Sequence, residues 1–220
     1  MKRVKQFGET VEGYNIPVLN EREIRASAGI LYLVMFWSWI LVVFNDNYLL
    51  LKYANTIFLA DFIVRIFISP KYSPLLIIGR LIVSNQTPEY VGAAQKKFAW
   101  TIGLVLSAII FLLLVVMNSD SLINFFICQT CLIFLFFESA FGICLGCKFY
   151  SMFYKEKAQY CPGEICDVNA KQEIQKTSLL QKAVVIGFFA FVITTAILFN
   201  DGFGAKPTSL WLIVKSAFSI

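Results

Sequence analysis

Residues 122–148 read LINFFICQTCLIFLFFESAFGICLGCK and lie within the longest apolar run of the chain. A helix needs about 20 predominantly apolar residues to cross a lipid bilayer, so this run predicts a membrane-spanning helix. Its far end carries the carboxylate of Glu138 and a C-x-x-C pair, Cys144 and Cys147. A carboxylate within hydrocarbon is costly and by default marks a functional site. Two thiols three positions apart on a helix share one face. The end of this helix is therefore the first candidate site.

The amino-acid composition predicts that most of the chain lies in the membrane. Apolar residues make up 58% of the 220 residues and charged residues 15%, so most of the chain must contact lipid or other helices. The net charge of +5 comes from basic residues in the connections, so we expect the lipid bilayer as partner and no nucleic acid. The chain has no histidine, which removes Ser-His and Cys-His catalysis and histidine ligation of metals or haem.

Five apolar stretches predict membrane helices, at residues 27–44, 48–69, 98–117, 122–150 and 183–199. Two shorter apolar segments, 75–84 and 208–220, predict helices at the membrane interface. The expected fold class is all-α, a polytopic transmembrane helical bundle with about five spans plus short interfacial helices. We divide it into an N-terminal segment 1–26, a core four-helix membrane domain 27–154 with the C-x-x-C pair, a cysteine-containing loop 155–182, and an additional membrane helix with a tail, 183–220.

The positions of the basic residues predict the orientation. They cluster before the first predicted span, between the second and third, and after the fourth, whereas the turns at 45–47 and 118–121 contain none. All three clusters fall on one side of a five-span bundle, and the positive-inside rule places that side in the cytoplasm. We therefore expect a cytoplasmic N-terminus, a cytoplasmic loop at 155–182 and an external C-terminal tail.

Charged residues within the predicted spans form a second candidate site. Asp61 and Arg65 are four positions apart and can pair on one helix face. Counted at 1.5 Å per residue from the outer turns, Glu138 lies about 24 Å and Arg65 about 25 Å along their helices. We expect a buried polar cluster of Asp61, Arg65 and Glu138 near the thiols. It acts either as a clasp between helices or as a proton relay coupled to thiol chemistry.

The six cysteines fall into three pairs: Cys128 and Cys131, Cys144 and Cys147, and Cys161 and Cys166. We interpret the first pair as ordinary small apolar residues. The second pair is the candidate for thiol–disulfide or persulfide exchange, with Cys161 and Cys166 as a second exchange pair or as resolving thiols.

The predicted position of the working pair limits its reactivity. On a helix that continues to residue 150, Cys144 and Cys147 lie near the C-terminus, where the helix dipole disfavours a thiolate and Lys148 offsets this only in part. Gly142 and Gly146 form a G-x-x-x-G pattern, which lets another helix approach closely.

Two other functions remain open. Cys144, Cys147, Cys161 and Cys166 have a spacing compatible with a four-cysteine site for zinc or an iron–sulfur cluster. Alternatively, Arg65 would be the natural counter-charge in a transporter of small sulfur-containing anions.

Three stretches resemble a family of small bacterial membrane proteins known as a domain of unknown function, DUF4395. They are DFIVR at 61–65 with PKYSPL at 70–75, KFAWTIG at 97–103, and ESAFGICLGCK at 138–148. The resemblance covers residues 16–154 and implies a four-helix membrane unit with a C-x-x-C at the inner end of its last helix, in a bacterial inner membrane. The resemblance implies thiol or sulfur chemistry, and we therefore expect a thiol–disulfide oxidoreductase or sulfur-transfer protein with a thioredoxin-like or sulfurtransferase partner.

Overall fold

The computed structural model describes residues 7–12, 14, 16–154 and 177–218. Within these residues the chain forms eight α-helices: α1 (Glu21–Asn45), α2 (Leu49–Ile63), α3 (Pro74–Ile82), α4 (Ala93–Ile110), α5 (Leu122–Phe136), α6 (Leu145–Tyr154), α7 (Leu179–Gly204) and α8 (Leu210–Phe218). Three of them continue as π-helical turns, α2 through Val64–Ile68, α4 through Phe111–Val116 and α5 through Phe137–Phe141. The predicted all-α class is confirmed.

Among the described helices, four are long and apolar enough to cross a membrane. They are α1, α4 with its π-helical turn, α5 with its π-helical turn, and α7. Their outward faces carry large exposed apolar side chains, among them Trp37, Phe44, Leu112, Phe126 and Ile197. Soluble monomers rarely expose contiguous apolar surface of this kind, whereas lipid covers it. The chain is therefore a membrane protein.

The predicted second span corresponds to α2 and its π-helical turn, and it differs from the other four in carrying three charged residues. Lys52, Asp61 and Arg65 are each no more than 2% exposed, because α2 packs against α1 and α4 and turns these side chains towards protein. The ammonium of Lys52 donates hydrogen bonds of 2.7 Å to Asn118 Oδ1 and to the carbonyl of Ala205. The charged side chains of α2 thus contact protein groups rather than lipid.

Short elements connect the helices at both ends of the bundle. Strand β1 (Val18–Asn20) pairs antiparallel with β2 (Tyr90–Gly92), which brings the starts of α1 and α4 side by side. At the other end β3 (Ser119–Asp120) pairs parallel with β4 (Thr208–Ser209).

Helix α3 forms within the segment predicted as interfacial, and it packs closely on α1. A Cβ atom added at Gly79 would lie 2.5 Å from the carbonyl oxygen of Glu23. The guanidinium of Arg80 donates hydrogen bonds to Glu23 (3.1 Å) and to Glu9 (3.2 Å). Packing and ion pairs together hold α3 against the base of α1.

The predicted single helix over 122–150 is wrong. Its helical structure ends at Gly142, whose φ of +65° is left-handed. The N–H of Gly142 donates to the carbonyl of Glu138 (3.1 Å), and the N–H of Ile143 donates to that of Phe137 (3.0 Å). Glycine adopts this conformation without a Cβ clash and commonly ends helices this way. The chain then begins a separate helix, α6.

Helix α7 forms the predicted fifth span and stands mostly apart from the bundle. Its buried residues are Gln181 and Phe203, one near each end, and its middle is apolar and exposed. Helix α8 has nine residues, too few to cross a bilayer, in agreement with an interfacial tail.

Candidate functional site

The C-x-x-C pair lies at the beginning of a helix. Cys144 directly precedes α6, and its carbonyl accepts a hydrogen bond from the N–H of Lys148 at 3.3 Å. Its Sγ accepts another from the N–H of Cys147 at 3.2 Å. These are the bonds of an N-cap residue. The expectation that the thiols lie at a helix C-terminus is therefore wrong. The break at Gly142 reverses the direction of the dipole field at the pair, and an N-terminus favours a thiolate.

Cys144 and Cys147 are joined as a disulfide, with their Cα atoms 5.2 Å apart. Both residues are nearly enclosed, Cys144 being 9% exposed and Cys147 3%. A pair one helical turn apart needs no change in the backbone path to close such a bond.

Two glycines position this disulfide by different means. A Cβ at Gly146 would lie 2.7 Å from the Cβ of Ala99 and 2.9 Å from its Cα, so Gly146 is where α6 meets α4 most closely. A Cβ at Gly142 would lie 3.3 Å from Nη1 of Arg25, whose Nη2 donates to the carbonyl of Ala140 at 3.4 Å. The predicted close helix approach thus involves Gly146, whereas Gly142 makes the turn.

Glu138 pairs with Lys96, and not with Arg65 as predicted. Lys96 is 1% exposed, and its ammonium also lies 2.8 Å from Glu21 Oε2. The predicted spans 48–69 and 98–117 leave Lys96 in the polar connection between them. In the structure α4 begins at Ala93, so Lys96 occupies its first turn and faces the bundle, while the adjacent Lys97 is exposed. Lys96 could not be recognised as a partner of Glu138 from the sequence because the start of α4 was not known. The position of a residue on its helix decides which way its side chain faces.

The predicted pair of Asp61 and Arg65 is present, with Arg65 Nε 2.6 Å from Asp61 Oδ2. Asp61 Oδ1 accepts two further hydrogen bonds, from the hydroxyl of Ser73 (2.7 Å) and the N–H of Leu75 (3.0 Å). Nη2 of Arg65 donates to the hydroxyl of Ser27 at 3.3 Å. The pair therefore links α1, α2 and the start of α3. Because its charge is already matched by Asp61, Arg65 is not a free counter-ion for a transported anion.

Although Arg65 and Glu138 do not touch, they line the same cavity, of about 60 Å³, between α1, α2, α4, α5 and the start of α6. Both lie in π-helical turns, which occur frequently at functional sites. Cys144 and Cys131 also line this cavity. Of the three charged residues expected near the thiols, Arg65 and Glu138 thus share a cavity with Cys144, whereas Asp61 does not line it and contacts Arg65 instead.

The remaining cysteines have different surroundings. Cys128 and Cys131 are buried free thiols in α5. Cys161 and Cys166 lie outside the described residues, and with them the loop that would complete a four-cysteine metal site. Within 16–154 and 177–218, no group of three or more histidine, cysteine or acidic side chains has the geometry to hold a metal ion.

Comparison with curated proteins and with solved structures finds no match. A family model matches residues 19–155, which include all of α1 to α6 and every side chain of the site described above. That stretch is more than half of the chain, and the protein belongs to the DUF4395 family, a domain of unknown function.

Proposed function

We propose that this membrane protein carries out thiol–disulfide or persulfide exchange at Cys144 and Cys147. The observation that carries the proposal is the position of the pair at the N-terminus of α6, where Cys144 is the N-cap residue. Exchange proceeds by attack of a thiolate on a disulfide sulfur. An N-terminal helix dipole stabilises the thiolate, as it does in known reactive cysteines.

Glu138 supports the same function through proton transfer. Opening a disulfide to thiols requires protons, and the Glu138 carboxylate borders the cavity that Cys144 lines. Lys96, which also pairs with Glu21, holds that carboxylate inside the bundle. In this proposal Glu138 moves protons to and from the thiols, and Asp61 with Arg65 fixes the neighbouring helices.

The location and partners are part of the proposal. The family resemblance implies a bacterial inner membrane, and the distribution of basic residues favours an orientation with the N-terminus and the C-x-x-C end in the cytoplasm. A thioredoxin-like or sulfurtransferase protein is the expected soluble partner, and Cys161 and Cys166 are the expected second exchange pair.

Differential alkylation followed by mass spectrometry tests this function. The protein is isolated from membranes under thiol trapping, with and without a chelator, and the state of each cysteine is read from its peptide. We expect Cys144 and Cys147 to be found partly as a disulfide or with extra sulfur, and to change state when cells receive oxidant or reductant. A pair that is always reduced and inert would contradict the proposal.

Matched double variants test the two cysteine pairs of the membrane domain one at a time. Replacing Cys144 and Cys147 by serine should abolish exchange, whereas the same change at Cys128 and Cys131 should preserve it. If the thiols instead become alkylated only after chelation, the protein holds a metal at Cys144, Cys147, Cys161 and Cys166, and the exchange function is wrong.

A further inference from the structure

The disulfide is largely buried, and one of its two cysteines, Cys144, lines the partly open cavity between the helices. Cys144 is 9% exposed and Cys147 3%, so in this conformation little of either residue is open to direct contact by a bulky reactant. Exchange requires direct contact between the attacking sulfur and the attacked one. The cavity supplies that access, and of the two cysteines it is Cys144 that lines it.

The size of the cavity restricts the reactant. Its volume is about 60 Å³. A cavity needs about 10–15 Å³ to hold one water, and an engineered cavity of about 150 Å³ holds benzene. The space therefore accommodates about four to six water-sized molecules and is too small for an aromatic ring such as that of a quinone. A molecule with one sulfur and no more than one carbon fits.

The cavity wall matches the chemistry of such a molecule. Aromatic side chains from three helices, Phe62, Trp100 and Phe134, make it largely apolar, which suits a neutral and lipid-permeant reactant. The Glu138 carboxylate lies on the wall, and carboxylates serve as general bases in proton transfer. Leu106 and Phe134, both half-buried, lie between the cavity and the lipid-facing side of α4 and α5.

We infer that the cavity binds a small sulfur nucleophile, hydrogen sulfide or methanethiol, which reacts with the disulfide at Cys144. The inference rests on the proposed exchange function. Glu138 takes the proton of hydrogen sulfide, and the hydrosulfide attacks Sγ of Cys144. The bond between Cys144 and Cys147 breaks, and Cys147 leaves as a thiolate that takes the proton back from Glu138. The products are a Cys144 persulfide and a Cys147 thiol, without a net oxidant or reductant. Methanethiol gives the corresponding mixed disulfide.

A size series of thiols tests the inference on the full-length oxidised protein in lipid nanodiscs. Sodium sulfide, methanethiol and glutathione are compared at equal thiolate concentration, and opening of the disulfide is followed by alkylation and peptide mapping. We expect both small reagents to react at least about tenfold faster than glutathione, since exchange rates depend on access. Sulfide should leave one additional sulfur atom on Cys144.

A tryptophan pair on α4 provides the structural control. Leu106→Trp, which fills the cavity, should slow the reaction with sulfide by about tenfold, because access limits exchange. Val105→Trp lies next to it on the exposed face and should not slow it. Thermal unfolding of both variants checks that they are folded. If Leu106→Trp does not fold, the thiol series on the unmodified protein alone tests whether the cavity limits access to the disulfide.

The failures of the two proposals are distinguishable. If glutathione or a thioredoxin opens the disulfide as fast as sulfide, or if the extra sulfur is on Cys147, the inference about the cavity is wrong and the exchange function stands. If no reagent, including dithiothreitol, opens the pair in the folded protein, the exchange function itself is wrong.

Discussion

The backbone N–H of Cys147 donates a hydrogen bond to the sulfur of Cys144 at 3.2 Å. This contact defines Cys144 as the cap of α6 and places its sulfur where backbone N–H groups converge. It exists because the chain turns at Gly142 before the first cysteine. The reactivity proposed for the pair thus depends on one residue that carries no reactive group.

Gly142→Ala is expected to lower both stability and thiol reactivity. Alanine at a left-handed φ costs about 1–2 kcal/mol, and its Cβ would also lie 3.3 Å from Nη1 of Arg25. A displaced turn would move Cys144 out of its cap position. Thermal unfolding in detergent and the alkylation rate of reduced Cys144 measure the two effects. Gly187→Ala, whose Cβ meets nothing within 4 Å, is the control and should not lower stability. An unchanged alkylation rate in Gly142→Ala would mean that the reactivity of Cys144 does not depend on its N-cap position.

Gly146→Ala is expected to destabilise the protein by pushing α6 away from α4. Its Cβ would lie 2.9 Å from the Cα of Ala99, a backbone atom that cannot rotate aside. Overpacking of this kind typically costs about 1–3 kcal/mol. The loss is measured as a fall in the unfolding midpoint, and Gly202→Ala, an exposed position with nothing within 4 Å, provides the comparison. Equal midpoints for the two variants would mean that α6 is not packed on α4 in the membrane.

Lys96→Met is expected to be among the most damaging single changes at the site. It leaves the carboxylates of Glu21 and Glu138 buried without their shared cation, and breaking a buried pair costs about 3–5 kcal/mol. Lys97→Met, one residue further along the same helix and exposed, should stay near the wild-type stability. Unfolding in detergent compares them, and similar midpoints would exclude a structural role for the buried ammonium.

Glu138→Gln distinguishes a clasp from a proton relay. Lys96 keeps Glu21 as its partner in this variant, so we expect near-normal folding. A relay predicts slower opening of the Cys144–Cys147 disulfide with that normal folding, because glutamine does not accept the proton. A clasp predicts the reverse, with lost stability and an unchanged rate in the protein that remains folded. The alkylation rate and the unfolding midpoint are read from the same samples.

Asp61→Asn is expected to destabilise the junction of α1, α2 and α3 without a specific effect on the thiols. Arg65, 2% exposed, would lose its carboxylate partner, at a cost of about 3–5 kcal/mol. Asp201→Asn, at an exposed position of α7, is the matched change. A loss of thiol exchange in folded Asp61→Asn would instead assign Asp61 to the reaction.

Much of the architecture was predictable because it follows from composition along the chain. Apolar stretches of sufficient length predicted the helices that became α1, α2, α4, α5 and α7, and four of these are apolar enough to cross a membrane. The pairing of Asp61 with Arg65 was predictable too, since two residues four positions apart on a helix lie on the same face.

The partners of Glu138 were not predictable in the same way. Counting residues from the turns compares depths along helices, but it contains no information on which way each side chain faces. Lys96 and Glu138 are 42 positions apart, and their contact depends on where α4 begins and how it rotates against α5. The pairing of β1 with β2 holds the start of α4 beside that of α1, and three-residue strands carry little sequence signal.

By itself the sequence determined an all-α membrane protein and the positions of its cysteines and intramembrane charges, because the cost of exposing polar groups to lipid constrains each segment separately. The tertiary structure alone decided that Cys144 begins a helix rather than ending one, that Glu138 pairs with Lys96, and that Arg65, Glu138, Cys131 and Cys144 share one cavity. The backbone conformation of a single glycine and the packing of four helices produce these relationships, and neither is a property of any one segment.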